Sequence, residues 1–400
     1  MKILWVNSNF MHPTDKGGSI RTLEMLLHLQ RRHEIHYAAI EDPRRPEGPA
    51  RADEYSFRSY PGRLHVPERG APAFAWQLAK GLLSPLPLAM KRYRAPDLGR
   101  SIEKLLRTER FDRAVVDHLT PATYFPDVAH ALLFQHNVET MIWRRRAEHA
   151  STPAQRFYMG LQAKRMYRFE RQVCREAGHI VAVSEVDAGL MRDLFGVSRL
   201  TVIPTGVNLE FHAPQPTSQS SDLIFVGSMD WLANVDGVMW FVREALPLIR
   251  RRKPDCSLTI AGRKPPREIA ALAAADPRIL VTGTVPDVRP YVWGAAASIV
   301  PLRIGGGTRL KIYESMAARV PIVSTTIGAE GLEVERGVNI RLADTAEDMA
   351  AQCLELLENP AERLRIQANA WELVSSRFRW DRVAARFEEA LEAAPRPLWS

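Results

Sequence analysis

Residues 299–325 read IVPLRIGGGTRLKIYESMAARVPIVST, and this stretch predicts a strand, a glycine turn, a helix and a second strand in succession. Gly305, Gly306 and Gly307 lack a Cβ, so the backbone there can approach a phosphate closely. The free N–H groups at the start of the following helix point to the same place, where the helix dipole favours an anion. The segment therefore suits the diphosphate of a nucleotide.

The side chains that follow the glycines strengthen this interpretation. Thr308 comes directly after the turn, and Arg309 and Lys311 add positive charge at the opening of the helix. Glu314, about one turn later, is placed to accept hydrogen bonds from the two vicinal hydroxyls of a ribose. The alternative is a flexible loop before an ordinary helix, with its charges solvated. The order of Arg, Lys and Glu after the glycines favours binding.

Length and composition indicate a multidomain globular protein. The chain has 400 residues, 46% of them hydrophobic and 25% charged, which suggests two or three domains with large cores. Its three cysteines are widely spaced, so neither a disulfide framework nor a zinc site is expected, and a reducing cytoplasm fits. We expect no secretory signal and no membrane span, since the most apolar segment, residues 71–90, contains Lys80 and three prolines.

The positive charge lies in the first half of the chain. The net charge is +8, and residues 1–200 contain 31 Lys and Arg against 22 Asp and Glu. The excess is concentrated in residues 91–113 and 144–175, and the second cluster follows a long helical pattern that includes Trp143, Phe157, Tyr158 and Tyr167. This pattern favours an anionic membrane surface or an anionic acceptor, with a solvated helix face as the alternative. Nucleic acid is not expected as a partner, because no nucleic-acid-binding motif accompanies the charge.

Strands and helices alternate along both halves of the chain. The strands predicted in the first half are residues 2–7, 34–40, 113–117, 131–135 and 179–183, with a helix at 19–30. Residues 203–221 are rich in Pro, Gln and Ser and predict a linker. The pattern then restarts with strands at 222–227, 257–261, 278–282, 297–301 and 321–324, and with helices at 235–249, at 267–275 and from 344 onward.

This alternation predicts an α/β protein with two doubly wound, Rossmann-like domains. Two such domains in series predict a ligand cleft between them, at the carboxyl ends of both sheets. In the first domain the corresponding loop contains Gly17 and Gly18 before a helix, where an acceptor or a phosphate would fit, although an ordinary glycine turn is an equal alternative. The glycine-rich segment occupies the equivalent place in the second domain.

Eight motifs, taken in order, resemble the retaining glycosyltransferases of the GT-B fold, specifically family four, which includes bacterial transferases of polysaccharide and glycolipid biosynthesis. The resemblance covers nearly the whole chain. The motifs are the Gly17-Gly18 loop, QHNVE around His136, VAVSEVDA from Val181, VIPTGVNLEF from Val202, LIFVGS from Leu223, LTIAGR from Leu258, VTGTVPDV from Val281 and GGGTRLKIYESMAARVPIVST from Gly305. The chain end, with Phe378 and Trp380, is similar to the family's terminal helix, which crosses back onto the first domain.

The resemblance implies a domain division and a donor site. The first, acceptor-binding domain would comprise residues 1–205 and 377–400, and the donor-binding domain residues 206–376. Glu314 is similar to the second glutamate of the family's E-x7-E motif, which holds the ribose, whereas the first glutamate is replaced by Gly306. Thr284 and Val285 fall where the family's base-recognition loop lies.

A second departure from the family concerns the cations that grip the diphosphate. Many members carry an Arg and then a Lys after the glycine at position 227, where this chain has Ser228 and Asn234. Arg309 and Lys311 are expected to supply that charge, with a contribution from Arg263 or Lys264. Charge-neutral replacement of Arg309 and Lys311 is then expected to raise the donor KM or abolish turnover.

His136 is similar to the family's histidine that faces the transferred sugar. A lone histidine after an apolar strand is often structural, but its position beside Asn137 and Glu139 favours the functional interpretation. The implied catalytic residues are His136, Arg309 and Lys311. The implied donor-binding residues are Gly305, Gly306, Gly307, Thr308, Glu314, Ser228, Arg263, Thr284 and Val285.

The implied reaction is sugar transfer with retention of configuration, in which the donor phosphate helps to deprotonate the acceptor hydroxyl. No cofactor and no metal are expected, since the chain contains no Asp-x-Asp triplet. The expected partners are a nucleotide-sugar donor, a saccharide or lipid-linked acceptor, and an anionic membrane at the cytoplasmic face.

Three alternatives remain open at this point. A sugar-nucleotide 2-epimerase of the same fold would need a set of carboxylates and histidines in the first domain. A catalytically inert nucleotide-sugar-binding homologue is compatible with the missing motif glutamate. A dinucleotide oxidoreductase is disfavoured, because no G-x-G-x-x-G follows a strand.

Overall fold

The computed structural model describes residues 1–14, 17–63, 84–148, 150, 152–304 and 309–397. These residues form two compact units. Unit 1 comprises Met1–Pro204 and Val383–Ser400, and unit 2 comprises Thr205–Arg382.

Unit 1 contains a seven-stranded parallel sheet in the order β3-β2-β1-β4-β5-β6-β7. Strands β1, β4 and β5 are buried almost completely, as their near-continuous apolar sequences require in a sheet covered on both faces. The strands are β1 (Lys2–Val6), β2 (Glu34–Glu41), β3 (Arg58–Arg63), β4 (Arg113–Asp117), β5 (Leu132–Phe134), β6 (His179–Ala182) and β7 (Leu200–Val202). The helices described in this unit are α1 (Gly17–Leu29), α2 (Glu47–Ala50), α3 (Leu88–Arg92), α4 (Pro96–Thr108), α5 (Glu139–Glu148), α6 (Pro153–Glu176) and α7 (Glu185–Phe195).

Unit 2 contains a six-stranded parallel sheet in the order β10-β9-β8-β11-β12-β13. The strands are β8 (Ser221–Val226), β9 (Leu258–Ala261), β10 (Ile279–Gly283), β11 (Ala295–Val300), β12 (Ile322–Ser324) and β13 (Arg341–Leu342). The helices are α8 (Leu209–His212), α9 (Leu232–Trp240), α10 (Leu246–Arg252), α11 (Arg267–Ala275), α12 (Arg289–Trp293), α13 (Leu310–Ala317), α14 (Ala346–Glu358), α15 (Pro360–Arg377) and α16 (Trp380–Ala393).

The last helix, α16, begins in unit 2 and contributes its residues from Val383 onward to unit 1. Phe387 of this helix packs against Trp5 and Phe134, with ring centroids 5.5 Å and 4.9 Å apart. The predicted two-domain α/β fold with a terminal helix that crosses back is therefore confirmed.

Several local predictions were wrong, each for a physical reason. The helix predicted at 235–249 is present, but a π-helical turn at Phe241–Ala245, just before Pro247, divides it into α9 and α10. The single basic helical pattern at 144–175 forms two helices, because Pro153 begins a new one. The predicted linker at 203–221 contains helix α8. Strands β3, β7 and β13 were missed because they are short or half-exposed, and β3 is an edge strand that contains Pro61.

Both sheets reverse their strand order beside the first strand of the unit. In unit 1 this happens between β1 and β4, and in unit 2 between β8 and β11. Ligands of open parallel sheets bind outside the carboxyl ends of the strands at such a reversal. Each unit therefore has one defined place at which functional side chains are expected.

Candidate functional site

The turn after β8 in unit 2 is built for close approach of side chains and backbone. A Cβ on Gly227 would lie 2.8 Å from Lys311 Nζ and 2.9 Å from Asn234 Nδ2, so a side chain there would displace the ends of both side chains. Asn234 Nδ2 donates to the Ser228 carbonyl at 2.7 Å and thereby holds the turn. Arg263 Nε donates to Ser228 Oγ at 2.7 Å. The predicted donor-binding residues Ser228 and Arg263 thus meet at the carboxyl end of β8.

Lys311, on the first turn of α13, points into this turn. Its Nζ donates to Asn234 Oδ1 at 3.1 Å and lies 4.5 Å from the centre of the Phe225 ring. Burial, and then the neighbouring charge of Arg309, lower the pKa of Lys311 to about 7. The Lys311 amino group therefore lies beside Asn234, the residue that stands where many family members have a lysine. An anion bound there would favour the protonated form of Lys311.

Arg309 points elsewhere. It precedes α13 in the left-handed conformation, with φ of 52°, and its side chain is buried. Its Nη2 donates to the Ile327 carbonyl at 2.9 Å and lies 3.7 Å from Glu330 Oε2. The two cations expected to act as a pair thus contact different parts of unit 2. Gly305, Gly306, Gly307 and Thr308 lie outside the described residues.

Glu314 occupies the next turn of α13 and is half-buried. Burial raises the pKa of Glu314 to about 7. Its Oε1 lies 3.9 Å from Nε2 of His212, a residue that the sequence did not single out. Thr284 and Val285 follow β10, where Gly283 has φ of 65°, and Thr284 is exposed.

In unit 1, Asp117 at the end of β4 organises the site. Its Oδ2 accepts hydrogen bonds from Trp5 Nε1 at 2.9 Å, Asn7 Nδ2 at 2.6 Å and Thr22 Oγ1 at 2.8 Å. Its Oδ1 accepts from His136 Nε2 at 2.7 Å. Burial alone would raise the pKa of Asp117, but His136, His118 and the Trp5 N–H stabilise the carboxylate and hold that pKa at about 2. Asp117 is thus an ionised, fully buried acceptor.

This carboxylate fixes the tautomer of His136. Because an ionised carboxylate only accepts, the proton of the imidazole lies on Nε2 and leaves a lone pair on Nδ1. Burial, and then the neighbouring His118, lower the pKa of His136 to about 3, so the ring is neutral in ordinary buffers. Among the described residues, Nδ1 has no hydrogen-bond partner. His136 therefore carries a buried hydrogen-bond acceptor that no described residue satisfies.

The predicted loop of Gly17 and Gly18 lies at this acceptor. A Cβ on Gly18 would lie 3.8 Å from His136 Nδ1 and 3.4 Å from His118 Cε1. Both distances are ordinary van der Waals contacts, so α1 packs directly against the two imidazole rings at this position. The structure thus places Gly17 and Gly18 on the first turn of α1 instead of in a loop, and it brings Gly18 next to His136 at the strand reversal of unit 1.

Ligand atoms of Asp117, His118 and His136 lie within 4.8 Å of one another, the spacing of a metal site. The rings of His118 and His136 are stacked, however, with centroids 3.9 Å apart and an interplanar angle of 18°. Nitrogen lone pairs lie in the ring plane, so two nearly parallel rings cannot direct them at one ion. As arranged, the cluster suits hydrogen bonding better than metal coordination.

Asp117, His118 and His212 were not among the site residues predicted from the sequence. An acid at the carboxyl end of a strand beside β1 is the signal that would have found Asp117. His118 gave no signal, because its stacking on His136 depends on a left-handed φ of 70°. His212 was not considered, because it lies within residues 203–221, which were predicted to be a linker.

Glu170 on α6 holds the segment that follows His136. Its buried carboxyl group accepts hydrogen bonds from the backbone N–H groups of Glu139 and Thr140, at 2.9 Å and 2.7 Å, and from Thr140 Oγ1 at 2.6 Å. These N–H groups belong to the first turn of α5, which has no intrahelical acceptors for them. Glu170 thus caps α5 from a neighbouring helix.

We expect Glu170→Ala to lower the free energy of unfolding by about 2–3 kcal/mol, because three buried donors lose their acceptor. Glu176→Ala, at the exposed end of the same helix, is the matched control and is expected to change it by less than about 0.5 kcal/mol. Urea denaturation measures both. Equal stability of the two variants would contradict this role of Glu170.

Within the part of the chain that the structure describes, no helix combines the length and apolarity needed to cross a membrane. The three cysteines, Cys174, Cys256 and Cys353, are buried and not disulfide-bonded.

Comparison with known proteins identifies the family of both units. Residues 16–211 match the model of Glycosyltransferase Family 4, and residues 220–359 match that of Glycosyl transferases group 1. A glycogen synthase of Mycobacterium tuberculosis is 27% identical over 251 residues, which are 59% of this chain and 59% of that protein. The chain thus spans less than two thirds of the length of this relative.

Solved structures share the fold across the whole chain. The sucrose-phosphate synthase of Thermosynechococcus elongatus has a TM-score of 0.66 at 16% identity, with 97% of this chain and 98% of that chain covered. Anabaena Alr3699/HepE in complex with UDP-glucose has a TM-score of 0.68 at 13% identity, with 98% and 100% covered. At these identities the likeness shows the GT-B fold alone. The two family matches, which follow one another along the chain and correspond to its two units, show that this protein belongs to the family four glycosyltransferases.

Proposed function

We propose that this protein is a hexosyltransferase that moves a sugar from a nucleotide-diphosphate sugar to a saccharide or lipid-linked acceptor. The anomeric configuration is retained, and the reaction belongs to cell-envelope or exopolysaccharide biosynthesis. Family membership supports sugar transfer, and the residues of each unit support the roles described below.

The observation that carries the proposal is the position of Lys311. Its ammonium lies at the carboxyl end of β8, 3.1 Å from Asn234 Oδ1, on the opening turn of α13. A cation and a helix N-terminus together stabilise an anion, so the β-phosphate of a leaving nucleoside diphosphate would be held there. Glu314, one turn further along α13, would take the ribose hydroxyls. Anabaena Alr3699/HepE, a protein of the same fold, has been solved with UDP-glucose, which supports a donor of this class.

His136 would act on the transferred sugar as a hydrogen-bond acceptor. Its Nδ1 lone pair would orient a donor-sugar hydroxyl, while burial keeps the ring neutral and Asp117 holds it in one tautomer. Because the pKa of His136 is about 3, its Nδ1 is too weak a base to take a proton from the acceptor hydroxyl. The donor phosphate is therefore proposed to receive the acceptor's proton.

We propose that the reaction needs no resident metal. Lys311 supplies charge to the leaving group, and Asp117 already accepts four hydrogen bonds. We also place the reaction in the reducing cytoplasm, a proposal supported by the three unpaired cysteines.

Incubation of the pure protein with radiolabelled nucleotide sugars and a membrane-lipid extract tests this function. Sugar incorporated into the lipid or saccharide fraction, with the donor's anomeric configuration seen by NMR, is the expected result. Isomerisation of the donor sugar would instead establish the 2-epimerase. Tight nucleotide binding with neither reaction would establish the inert homologue.

The proposal includes an anionic membrane surface as the site of the acceptor. Helices α5 and α6 expose arginines next to aromatic rings: the guanidinium of Arg146 lies 5.2 Å from the centre of the Trp143 ring, and that of Arg144 lies 5.6 Å from Tyr167. Phe157, at the start of α6, is 76% exposed. Trp143 and Tyr167 are partly buried, so the combination that favours anionic lipid headgroups is the arginines of these helices together with the exposed Phe157.

Phe157→Ser is expected to lower the partition coefficient onto phosphatidylglycerol vesicles by about 10-fold, since insertion of one aromatic side chain contributes roughly 1.5–3 kcal/mol. Phe57→Ser is the matched control, because Phe57 is similarly exposed, at 72%, but belongs to another part of unit 1. Vesicle co-sedimentation at low and high salt measures both variants. Binding that depends on neither anionic lipid nor salt would contradict the proposal.

A further inference from the structure

Helix α8 is held in place by the helix that follows β10. Asn208 Oδ1 accepts from the Phe211 N–H at 2.9 Å and caps α8. Arg289 Nη1 donates to the Phe211 carbonyl at 2.7 Å, and Trp293 Nε1 donates to the His212 carbonyl at 3.1 Å. Hydrogen bonds to the carbonyl groups of Phe211 and His212 therefore fix the backbone position from which the His212 side chain extends.

The His212 ring reaches the carboxyl group of Glu314. Its side chain is only 15% exposed, and its Nε2 lies 3.9 Å from Glu314 Oε1. This separation is too long for a direct hydrogen bond. It does suit one ligand hydroxyl within hydrogen-bond distance of both atoms, or two neighbouring hydroxyls that take one atom each. A vicinal diol is a ligand of that kind.

Helix α8 is also linked to the loop around Thr284 and Val285, which was predicted to recognise the base. Asp287, two residues after Val285, forms an ion pair with Arg289 at 2.8 Å. The Arg289 guanidinium stacks on the Phe211 ring, 3.7 Å from its centre. Contacts from the base loop and from Glu314 therefore converge on the segment that carries His212.

We propose that His212 is a specificity-determining residue for the nucleoside half of the donor, where it binds a ribose hydroxyl together with Glu314. This inference rests on the proposed function, because it assumes that unit 2 binds a nucleoside diphosphate. Glu314 accepts hydrogen bonds from the diol, and the His212 nitrogen fixes the position of the hydroxyl nearer to α8. The pair thus distinguishes ribose from deoxyribose.

Calorimetric binding tests the inference in two steps. Wild-type protein is first titrated with UDP, ADP, GDP and TDP, and the tightest binder is then compared with its 2′-deoxy and 3′-deoxy analogues. His212→Phe keeps an aromatic ring but has no ring nitrogen, whereas His212→Gln has no ring but keeps a polar group that can form hydrogen bonds. We expect His212→Phe to weaken the ribonucleotide by about 3- to 10-fold and to weaken at least one deoxy analogue by less than about 2-fold. His212→Gln is expected to recover part of the loss.

His28→Phe, on α1 of unit 1, is the control and is expected to bind like the wild type. Lack of binding of any nucleoside diphosphate to the wild type would refute the proposed function itself. Binding by the wild type, with His212→Phe unaffected or equally weakened for ribose and deoxyribose forms, would overturn only the role of His212. A purely structural role predicts that equal weakening, so the deoxy analogues separate the two roles.

Discussion

Replacement of Lys311 by methionine is expected to weaken nucleoside diphosphate binding by about 10- to 100-fold without lowering the melting temperature. A hydrogen bond from a charged donor contributes about 1.5–3 kcal/mol, and Lys311 points its amino group into the turn after β8, where it donates to Asn234. Methionine fills a similar volume next to the Phe225 ring and removes a charge that is costly to bury. Calorimetry and thermal unfolding measure the two effects.

The protonation of Lys311 adds a second observable. In the free protein the pKa of Lys311 is about 7, so its ammonium form predominates below that pH and is lost above it. A bound diphosphate favours the charged form and raises the pKa. Binding at pH 8 is therefore expected to take up about one proton, and affinity is expected to fall as the pH rises above 7. Titrations in buffers of different ionisation enthalpy detect this uptake, which Lys311→Met is expected to abolish.

Two controls separate this role from general damage. Lys253→Met removes a lysine that lies 3.4 Å from Asp222 at the start of β8, and wild-type binding is expected. Arg309→Met is expected to lower the stability instead, because its guanidinium binds the Ile327 carbonyl and lies near Glu330. Wild-type affinity and undiminished proton uptake in Lys311→Met would refute the assignment of Lys311.

The sequence predicted the fold well because periodicity and burial act over many residues at once. The buried strands of both sheets, such as β4 and β9, are short apolar runs between helical patterns, and their positions were predicted within one or two residues. The edge strands β3, β7 and β13 were missed, because a half-exposed strand such as β7 lacks a continuous apolar run, whereas the edge strand β10 was predicted. Edge position is a property of the assembled sheet.

The candidate site was predictable only where local sequence carries the chemistry. The order of Lys311 and Glu314 on one helix, and His136 after a strand, are visible in the sequence. The different contacts of Arg309 and Lys311 could not be predicted, because they depend on the left-handed backbone conformation of Arg309 just before α13. Asp117 and His136 are 19 residues apart, and only the pairing of β4 with β5 brings them together. Long-range pairing of this kind leaves no local pattern.

Asp117→Asn is expected to reduce kcat by about 10- to 100-fold, because it reverses the hydrogen-bonding role of His136 Nδ1. The asparagine oxygen is held by the three donors Trp5, Asn7 and Thr22, so its NH₂ group must face His136 Nε2. Nε2 then has to accept, and the proton moves to Nδ1. The group that would accept from the donor sugar becomes a donor, which costs about 1–3 kcal/mol for the mispaired contact.

Nitrogen NMR of the folded protein reads this change directly and independently of activity. The wild type is expected to show a neutral His136 protonated on Nε2 down to about pH 4, since its pKa is about 3. Asp117→Asn is expected to show the Nδ1-protonated tautomer and a larger change in kcat than in donor KM. Asp193→Asn, an exposed acid on α7, is the control and is expected to keep both the tautomer and the rate. A switched tautomer with wild-type kcat would show that His136 Nδ1 does not contact the reacting sugar, because the mispaired contact could not then be part of the transition state.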